Sequence, residues 1–174
     1  ADVAGFHARG FFDKVVDIGQ CHLQREPSNK IRKLIKSFCL REGWPFYDIR
    51  MHTGYIRTLQ LRICRTGECM ANVVVAVDDD RKIRLMDHLL AEVPELTTLL
   101  YTVNTKFNDS LYDLQPVTYH GKGYVLETLE DFQFKIGPKS FFQTNTAQAE
   151  KLYQATRLFA ELSGGETVYD LYCG

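Results

Sequence analysis

Apolar residues recur along the chain with two different spacings, which predict where helices and strands lie. In residues 28–43 they fall at positions i, i+3, i+4 and i+7, so one apolar stripe runs along a helix. Residues 81–93 and 145–165 show a similar helical spacing. Runs of β-branched and aromatic residues predict strands instead. The predicted strands are residues 3–9, 14–18, 46–51, 55–64, 69–78, 97–105, 122–129, 132–136 and 167–173.

The order of these elements predicts an α+β fold. In residues 1–136 most strands follow one another directly, which favours a mostly antiparallel sheet with helices on one face. After residue 137 a long helix leads into a hydrophobic strand that ends at a glycine, which is typical of the beginning of a Rossmann-like domain. We therefore predict a central α+β domain, residues 1–136, followed by the first helix and strand of a Rossmann-like domain, residues 137–174.

The last residues, VYDLYCG (168–174), indicate a ligand site at the end of the chain. Parallel α/β sheets bind ligands just beyond the carboxyl ends of their strands, and the sequence stops at this point. We therefore expect a fragment that is cut inside a cofactor-binding loop. The preceding helix is expected to begin at Asn145 with a capping interaction that involves Gln148. Its expected buried side consists of Leu152, Tyr153, Thr156, Phe159 and Leu162.

The composition is that of a globular protein. The chain has 174 residues, 45% of them hydrophobic and 25% charged, so it can hold one domain and part of another. No apolar run reaches the roughly 18 residues that a membrane helix needs, and we predict no membrane association. The five cysteines are an odd number without a tight framework, which indicates a reducing compartment and a cytoplasmic location.

The net charge of −1 conceals an asymmetry between the two parts of the chain. Residues 1–70 carry 12 Lys and Arg against 7 Asp and Glu, whereas residues 71–174 carry 9 against 15. A basic half can attract nucleic acid, although an ordinary solvated face gives the same composition.

Four arginines in the basic half are candidates for RNA contact. Arg50, Arg57, Arg62 and Arg65 come from two neighbouring predicted strands and the hairpin turn between residues 64 and 69. Arg57 and Arg65 are eight positions apart and would share a face if the strand is unbroken. Clustered guanidinium groups suit phosphates, and ordinary surface charge is the alternative.

Two motifs together carry a family resemblance. KSFFQTNTAQAEKLY (139–153) places two aromatic residues and a polar segment at the start of a helix, and VYDLYCG (168–174) follows it closely. This pair resembles the S-adenosylmethionine-dependent RNA uridine-C5-methyltransferases, which make 5-methyluridine in 23S ribosomal RNA or transfer RNA. GFHARGFFDKVVDIGQC (5–21) resembles a segment of the central domain of the same family, so the resemblance covers nearly the whole chain.

The resemblance implies a cofactor site for S-adenosylmethionine. Gln143 would contact the cofactor, Tyr172 would line its pocket and Gly174 would open the loop that passes it. An amide that both donates and accepts hydrogen bonds suits such a ligand, although a helix cap is the structural alternative for this segment. The family's nucleophilic cysteine and its carboxylate base would lie after Gly174, so no catalytic residue is expected in this chain. We therefore expect the 174 residues alone to be inactive.

The resemblance also implies a possible iron–sulfur ligand and a set of partners. In many members of the family the cysteine at the position of Cys21 is the last of four ligands of a [4Fe–4S] cluster, and a free core thiol is the alternative. The expected partner is RNA, with 23S ribosomal RNA ahead of transfer RNA, and the protein is expected to be a monomer. Two other readings remain open, namely a non-catalytic RNA-binding module and a methyltransferase for a small molecule or a protein.

Other polar residues are predicted to have structural roles. Cys64 and Cys69 flank the hairpin turn without further ligands at the spacing that zinc requires, so they are expected to be plain thiols. Residues 78–80 are three aspartates that are expected to form a solvated turn before a helix. The five histidines are scattered without the spacing of a metal site.

Overall fold

The computed structural model describes residues 3–171, which form a mixed α+β fold of three helices and several small sheets. The α+β class predicted from the sequence is therefore confirmed. In chain order the elements are β1 (Gly5–His7), β2 (Val15–Asp17), α1 (Ser28–Arg41), β3 (Ile56–Ile63), β4 (Cys69–Val75), α2 (Arg81–Glu92), β5 (Thr98–Val103), β6 (Val117–His120), β7 (Val125–Leu129), β8 (Phe132–Ile136) and α3 (Thr146–Ala160).

The largest sheet has the strand order β3-β4-β5-β6. Its outer pairs, β3–β4 and β5–β6, are antiparallel, whereas β4 and β5 are parallel and are joined through α2. The hairpins β1–β2 and β7–β8 form two further sheets, both antiparallel. Antiparallel pairs therefore predominate, but they are spread over three sheets rather than collected in one.

The main core lies between the large sheet and the two helices α1 and α2. Side chains of a strand point alternately to opposite faces, so Ala71, Val73 and Val75 of β4 lie in this core, together with Ile31 and Leu85 of the helices. Burying each such side chain contributes about 1.5–3 kcal/mol.

A second, smaller core lies on the opposite face of the sheet. Met70 of β4 and Leu100 of β5 contact Val125 and Ile136 of the β7–β8 hairpin. Phe142, in the segment before α3, packs against the same cluster. The segment that leads into α3 is therefore attached to the central sheet.

Two predicted strands are not formed in the described residues, and one described strand was not predicted. Residues 46–51 form isolated bridges instead of a strand, because the Asp48 carboxylate accepts hydrogen bonds from the backbone N–H groups of Arg50 and Met51 and closes a turn. The short strand β6 was not predicted, since it alternates only weakly and is mostly exposed. The predicted strand 167–173 is not formed in residues 167–171, where no described strand is available to pair with it, and residues 172–173 lie outside the described range.

The prediction of a buried side on α3 is wrong for the described residues. Only Thr146 and Ala149 of this helix are buried, because nothing in residues 3–171 packs against its apolar side. The exposed apolar residues are Leu152, Tyr153, Leu158, Phe159 and, just after the helix, Leu162. None of the helices in residues 3–171 is both long and apolar enough to cross a membrane.

Candidate functional site

Gln143 lies in the connection between β8 and α3, and its side chain is exposed. The connection is fixed on the side of the sheet, since Arg62 Nη2 donates to the Ser140 carbonyl at 2.5 Å and the Gly137 N–H donates to Ser140 Oγ at 3.0 Å. Phe142, next to Gln143, packs in the second core with its ring 5.6 Å from that of Phe134. The backbone is therefore anchored immediately before an exposed amide.

The helix cap is supplied by Asn145. Its Oδ1 atom accepts a hydrogen bond from the Gln148 N–H at 3.1 Å, which satisfies one of the free donors at the start of α3. The predicted cap is thus confirmed, and its side-chain acceptor is not Gln143. The Gln143 amide consequently remains available for a ligand.

A shallow groove of about 420 Å³ lies beside this connection. Gly137, Pro138, Lys139 and Ser140 line one side, and residues of the central sheet and its loops line the other. The volume lies in the range of small-molecule sites. Gln143 is not among its lining residues, and the predicted cofactor residues Tyr172 and Gly174 lie outside the described range, so their roles stay predictions.

The predicted RNA contact of Arg57 does not fit its position, because its side chain is only 1% exposed. Its Nη1 atom donates to the carbonyls of Asn104 and Lys106 at 2.9 and 2.5 Å, and Nη2 donates to the Asn108 carbonyl and the Asp109 carboxylate. Its guanidinium also lies 4.0 Å from the centre of the Tyr47 ring. Arg57 is therefore a structural residue that holds the loop after β5.

Arg65 is also engaged within the chain. Its Nη1 and Nη2 atoms donate to the Glu150 carboxylate at 3.0 and 2.5 Å, and Nη2 also donates to the Thr128 carbonyl at 2.6 Å. The expected common face of Arg57 and Arg65 is not formed, because the register of β3 shifts at a bulge between Ile56 and Thr58.

Arg50 and Arg62 are placed differently. Arg50 lies in the turn after Asp48, with two thirds of its side chain exposed, and its Nε atom donates to Asp13 Oδ2 at 2.5 Å. Arg62 is part of β3 and half-buried, and it faces Ser140. These two arginines therefore do not form one cluster with Arg57 and Arg65.

The sequence analysis did not identify Glu127 and Glu150, the two glutamates that accept hydrogen bonds from Arg65. Glu127 is 4% exposed, and its carboxylate accepts hydrogen bonds from the N–H groups of Arg65 and Thr128. Glu150 accepts from Arg65 and from the Glu130 N–H, and these contacts lower the pKa of Glu150 to about 2. A glutamate between the apolar residues Leu126 and Leu129 of a predicted strand was the available signal.

Cys21 is held at a defined place beside α1. The Cys21 N–H donates to Asn29 Oδ1 at 2.8 Å, and Asn29 Nδ2 donates back to the Cys21 carbonyl at 3.2 Å. Asn29 is buried and also accepts from Arg32, whose guanidinium donates to the Ile18 carbonyl. Cys21 is therefore a free, partly exposed cysteine on a fixed backbone.

No complete metal site exists within residues 3–171. No group of three or more His, Cys, Asp or Glu side chains there could hold a metal ion. The other described cysteines are buried free thiols, and burial raises the pKa of Cys39 and Cys69 to about 12 and that of Cys64 to about 11. Cys21 by itself would fill one of the four positions of a cluster.

Asp78 and Asp79 stabilise the turn before α2. Asp79 binds Arg81 with a 2.6 Å contact, and Asp78 accepts from Lys82 at the same distance. The predicted structural role of this acidic run is therefore confirmed.

The chain is similar to RNA methyltransferases over nearly its whole length. An uncharacterized RNA methyltransferase of Porphyromonas gingivalis is 47% identical over 98% of this chain, and one of Bacteroides thetaiotaomicron is 41% identical over 99%. This chain spans 37% and 39% of the length of these two curated relatives. No protein-family model matches the chain.

A solved structure supports the same similarity. The Pyrococcus abyssi tRNA (uracil-54, C5)-methyltransferase, in complex with S-adenosyl-L-homocysteine, superposes with a TM-score of 0.71 at 28% identity. The match covers 90% of this chain and 38% of that protein. The resemblance that the two sequence motifs indicate is thus confirmed.

Proposed function

We propose that this chain is part of an S-adenosylmethionine-dependent RNA methyltransferase that methylates C5 of a uridine. The observation that carries the proposal is the similarity to a tRNA (uracil-54, C5)-methyltransferase over 90% of the chain, with a TM-score of 0.71. The similarity of 98% of the chain to a curated RNA methyltransferase supports the same reaction class. Residues 1–136 would form the central domain and residues 137–174 the beginning of the methyltransferase domain.

The cofactor site would lie at the start of α3. S-adenosylmethionine would supply the methyl group, and residues of this chain would only bind and orient it. Gln143 would hydrogen-bond the cofactor from its anchored loop, while Tyr172 and Gly174 would line and open the pocket. Cys21 would contribute one thiolate to a [4Fe–4S] cluster whose other ligands are not among the described residues.

The RNA partner would be 23S ribosomal RNA or transfer RNA. The sequence analysis favours 23S ribosomal RNA, whereas the superposed protein acts on transfer RNA. A target uridine in folded RNA must leave its stack to reach a methyltransferase pocket. Arg50 would contact phosphates of the bound RNA. Arg62 would also do so once its hydrogen bond to the Ser140 carbonyl is broken. We further propose a monomeric enzyme in the cytoplasm.

The experiment measures 5-methyluridine in RNA. The full-length protein is incubated with S-adenosylmethionine and unmodified 23S ribosomal or transfer RNA, and the RNA is digested to nucleosides. We expect 5-methyluridine from one of the two RNAs. Gln143→Ala should reduce its formation at least tenfold, because a hydrogen bond to the cofactor is lost. The 174-residue chain alone should form none.

Gln148→Ala is the matched control. Gln148 has the same side chain on the first turn of α3, is exposed and contributes only its backbone to the cap. Its activity should equal that of the wild type. If the wild type binds S-adenosylmethionine but leaves both RNAs unmethylated, a small-molecule or protein substrate replaces RNA in the proposal.

A further inference from the structure

Three segments that are distant in the sequence form an exposed surface of rings and cations. They are the turn between β1 and β2, the loop of residues 47–54 and the loop that follows β5. We call it the ring–cation surface and define it by Phe11, Phe12, Lys14, Arg50, His52 and Phe107. Only Arg50 of this set was singled out in the sequence.

Direct contacts join the three segments. Arg50 reaches from its loop to Asp13 in the β1–β2 turn, with Nε 2.5 Å from Oδ2, and its guanidinium lies 5.8 Å from the centre of the Phe12 ring. On the other side of the same loop the His52 ring packs on Phe107 with centroids 4.5 Å apart. Lys14 lies 4.2 Å from the centre of the Phe11 ring. Phe11 and Phe12 are thus each paired with a cation, and Phe107 is paired with an aromatic imidazole.

The backbone under this surface is fixed. Asp48 accepts hydrogen bonds from the N–H groups of Arg50 and Met51, and Tyr47 Oη lies 3.3 Å from His52 Nδ1. His52 has a φ of 54°, a left-handed conformation that residues with side chains seldom adopt. Strain of this kind is concentrated at functional sites, where it holds a side chain in a required position. Here it directs the imidazole to Phe107.

Within residues 3–171 the two rings are mostly unburied. Phe12 is 66% exposed and Phe107 is 72% exposed, so most of each ring surface remains in water. A ring that carries a cation on one side and is open elsewhere can stack with a nucleobase. Lys14 and Arg50 beside the rings supply charge for phosphates, in the half of the chain that has the basic excess.

We propose that the ring–cation surface binds an unpaired stretch of RNA by stacking bases on Phe12 and Phe107. The inference rests on the proposed function and extends it, because none of the residues of the surface belongs to the Gln143 loop and the surface would hold RNA that flanks the target uridine. Charge complementarity and stacking rings favour RNA over a protein partner.

The test uses the full-length protein and a single-stranded RNA of about 12 nucleotides that contains 2-aminopurine. Stacking of this base on a ring quenches its fluorescence. Wild type should bind and quench, whereas Phe12→Ala and Phe107→Ala should each weaken binding about tenfold, the value of one stacked base. Phe12→Trp should bind the RNA and quench its fluorescence like the wild type, since tryptophan also offers an aromatic ring for stacking.

Phe132→Ala is the matched control, because Phe132 is 67% exposed on β8, outside the ring–cation surface. It should bind and quench like the wild type. The salt dependence separates stacking from charge: Lys14→Gln should reduce the slope of log K against log salt by about one, and Phe12→Ala should leave the slope unchanged.

The inference and the proposed function fail in different ways. If the wild type methylates RNA but Phe12→Ala and Phe107→Ala bind and quench as it does, the surface does not stack RNA and the inference is overturned; a protein partner then becomes the occupant to test. If no RNA is methylated while binding and quenching still depend on the two rings, the proposed function fails and the inference stands.

Discussion

At the scale of single residues, the structure separates arginines that the sequence presents as equivalent. Arg57 uses its guanidinium to hold three backbone carbonyls of the loop after β5 and the Asp109 carboxylate. Arg50 has one carboxylate partner and remains largely exposed. Arg57 lies where the register of β3 shifts and is covered by the loop after β5, whereas Arg50 lies in the exposed turn after Asp48. Spacing along the sequence contains neither feature.

The buried position of Arg57 gives a stability prediction. Arg57→Lys keeps the charge, but a single ammonium group cannot reach all of these acceptors, and buried carbonyls remain unpaired. We expect the free energy of unfolding to fall by about 2–3 kcal/mol. Urea unfolding of the 174-residue chain, followed by the fluorescence of Trp44, its single tryptophan, measures the change.

Arg9→Lys is the control for this change, because Arg9 is exposed at the β1–β2 turn. It should alter the free energy of unfolding by less than about 0.5 kcal/mol. Equal effects of the two substitutions would show that the hydrogen bonds of Arg57 contribute nothing to stability.

At the scale of elements, α3 is attached mainly by charged groups. Glu150 binds Arg65 and accepts from the Glu130 N–H, and Arg157 and Gln154 both donate to the Glu130 carboxylate. Apolar burial is confined to the first turn of the helix. The helix therefore depends on the charge state of two glutamates.

This attachment predicts a pH dependence. The pKa of Glu150 is lowered from 4.5 to about 2 by Arg65, so its contribution to the docking of α3 is complete above about 4.5 and is lost as the pH falls towards 2. Glu150→Gln should increase amide hydrogen exchange in α3 at pH 7. The difference from the wild type should disappear as the pH approaches about 2.

Glu92→Gln on α2 is the control and should not change exchange in α3, since Glu92 lies outside this network. Unchanged exchange in Glu150→Gln at pH 7 would mean that the first turn alone holds the helix.

The elements also show what the sequence could predict. The apolar stripes of α1 and α2 predicted both helices closely, because their packing surface lies within the chain. The apolar stripe of α3 correctly predicted the helix, but the predicted burial of that stripe is wrong for the described residues. The spacing of apolar residues indicates which side of a helix is apolar, but it does not indicate which element packs against that side. The parallel pairing of β4 and β5 was missed, because the periodicity of a strand does not specify its neighbour.

At the scale of the whole molecule, one candidate site lies in a contiguous sequence motif and the other is formed by segments that are distant in the sequence. The Gln143 loop was predicted because its motif is contiguous and resembles a known family. The ring–cation surface was not predicted, because the Arg50–Phe12 and His52–Phe107 contacts join segments that are distant in the sequence and form only in the folded chain. The resemblance therefore supports the proposed reaction class, and the fold adds a candidate surface for RNA.

The distribution of apolar burial predicts that this chain unfolds in two steps. Trp44, the single tryptophan, lies between the rings of Phe38 and Tyr55 in the main core, with centroids 5.2 and 5.5 Å away. Helix α3 lies outside that core, and a helix of its length is marginal in water without packing. High salt weakens exposed ion pairs, so in moderate urea and high salt α3 should unfold before the core.

Far-UV circular dichroism and Trp44 fluorescence of the 174-residue chain distinguish the two steps. The helical signal should fall by roughly a third, the share of α3 in the described helices, before the fluorescence changes. Glu150→Gln should advance the first step and leave the second unchanged, because Trp44 does not contact the ion-pair network. Coincident curves for the two signals would show instead that α3 and the core unfold as one cooperative unit. The contacts of the first turn of α3 would then be sufficient to couple the helix to the core.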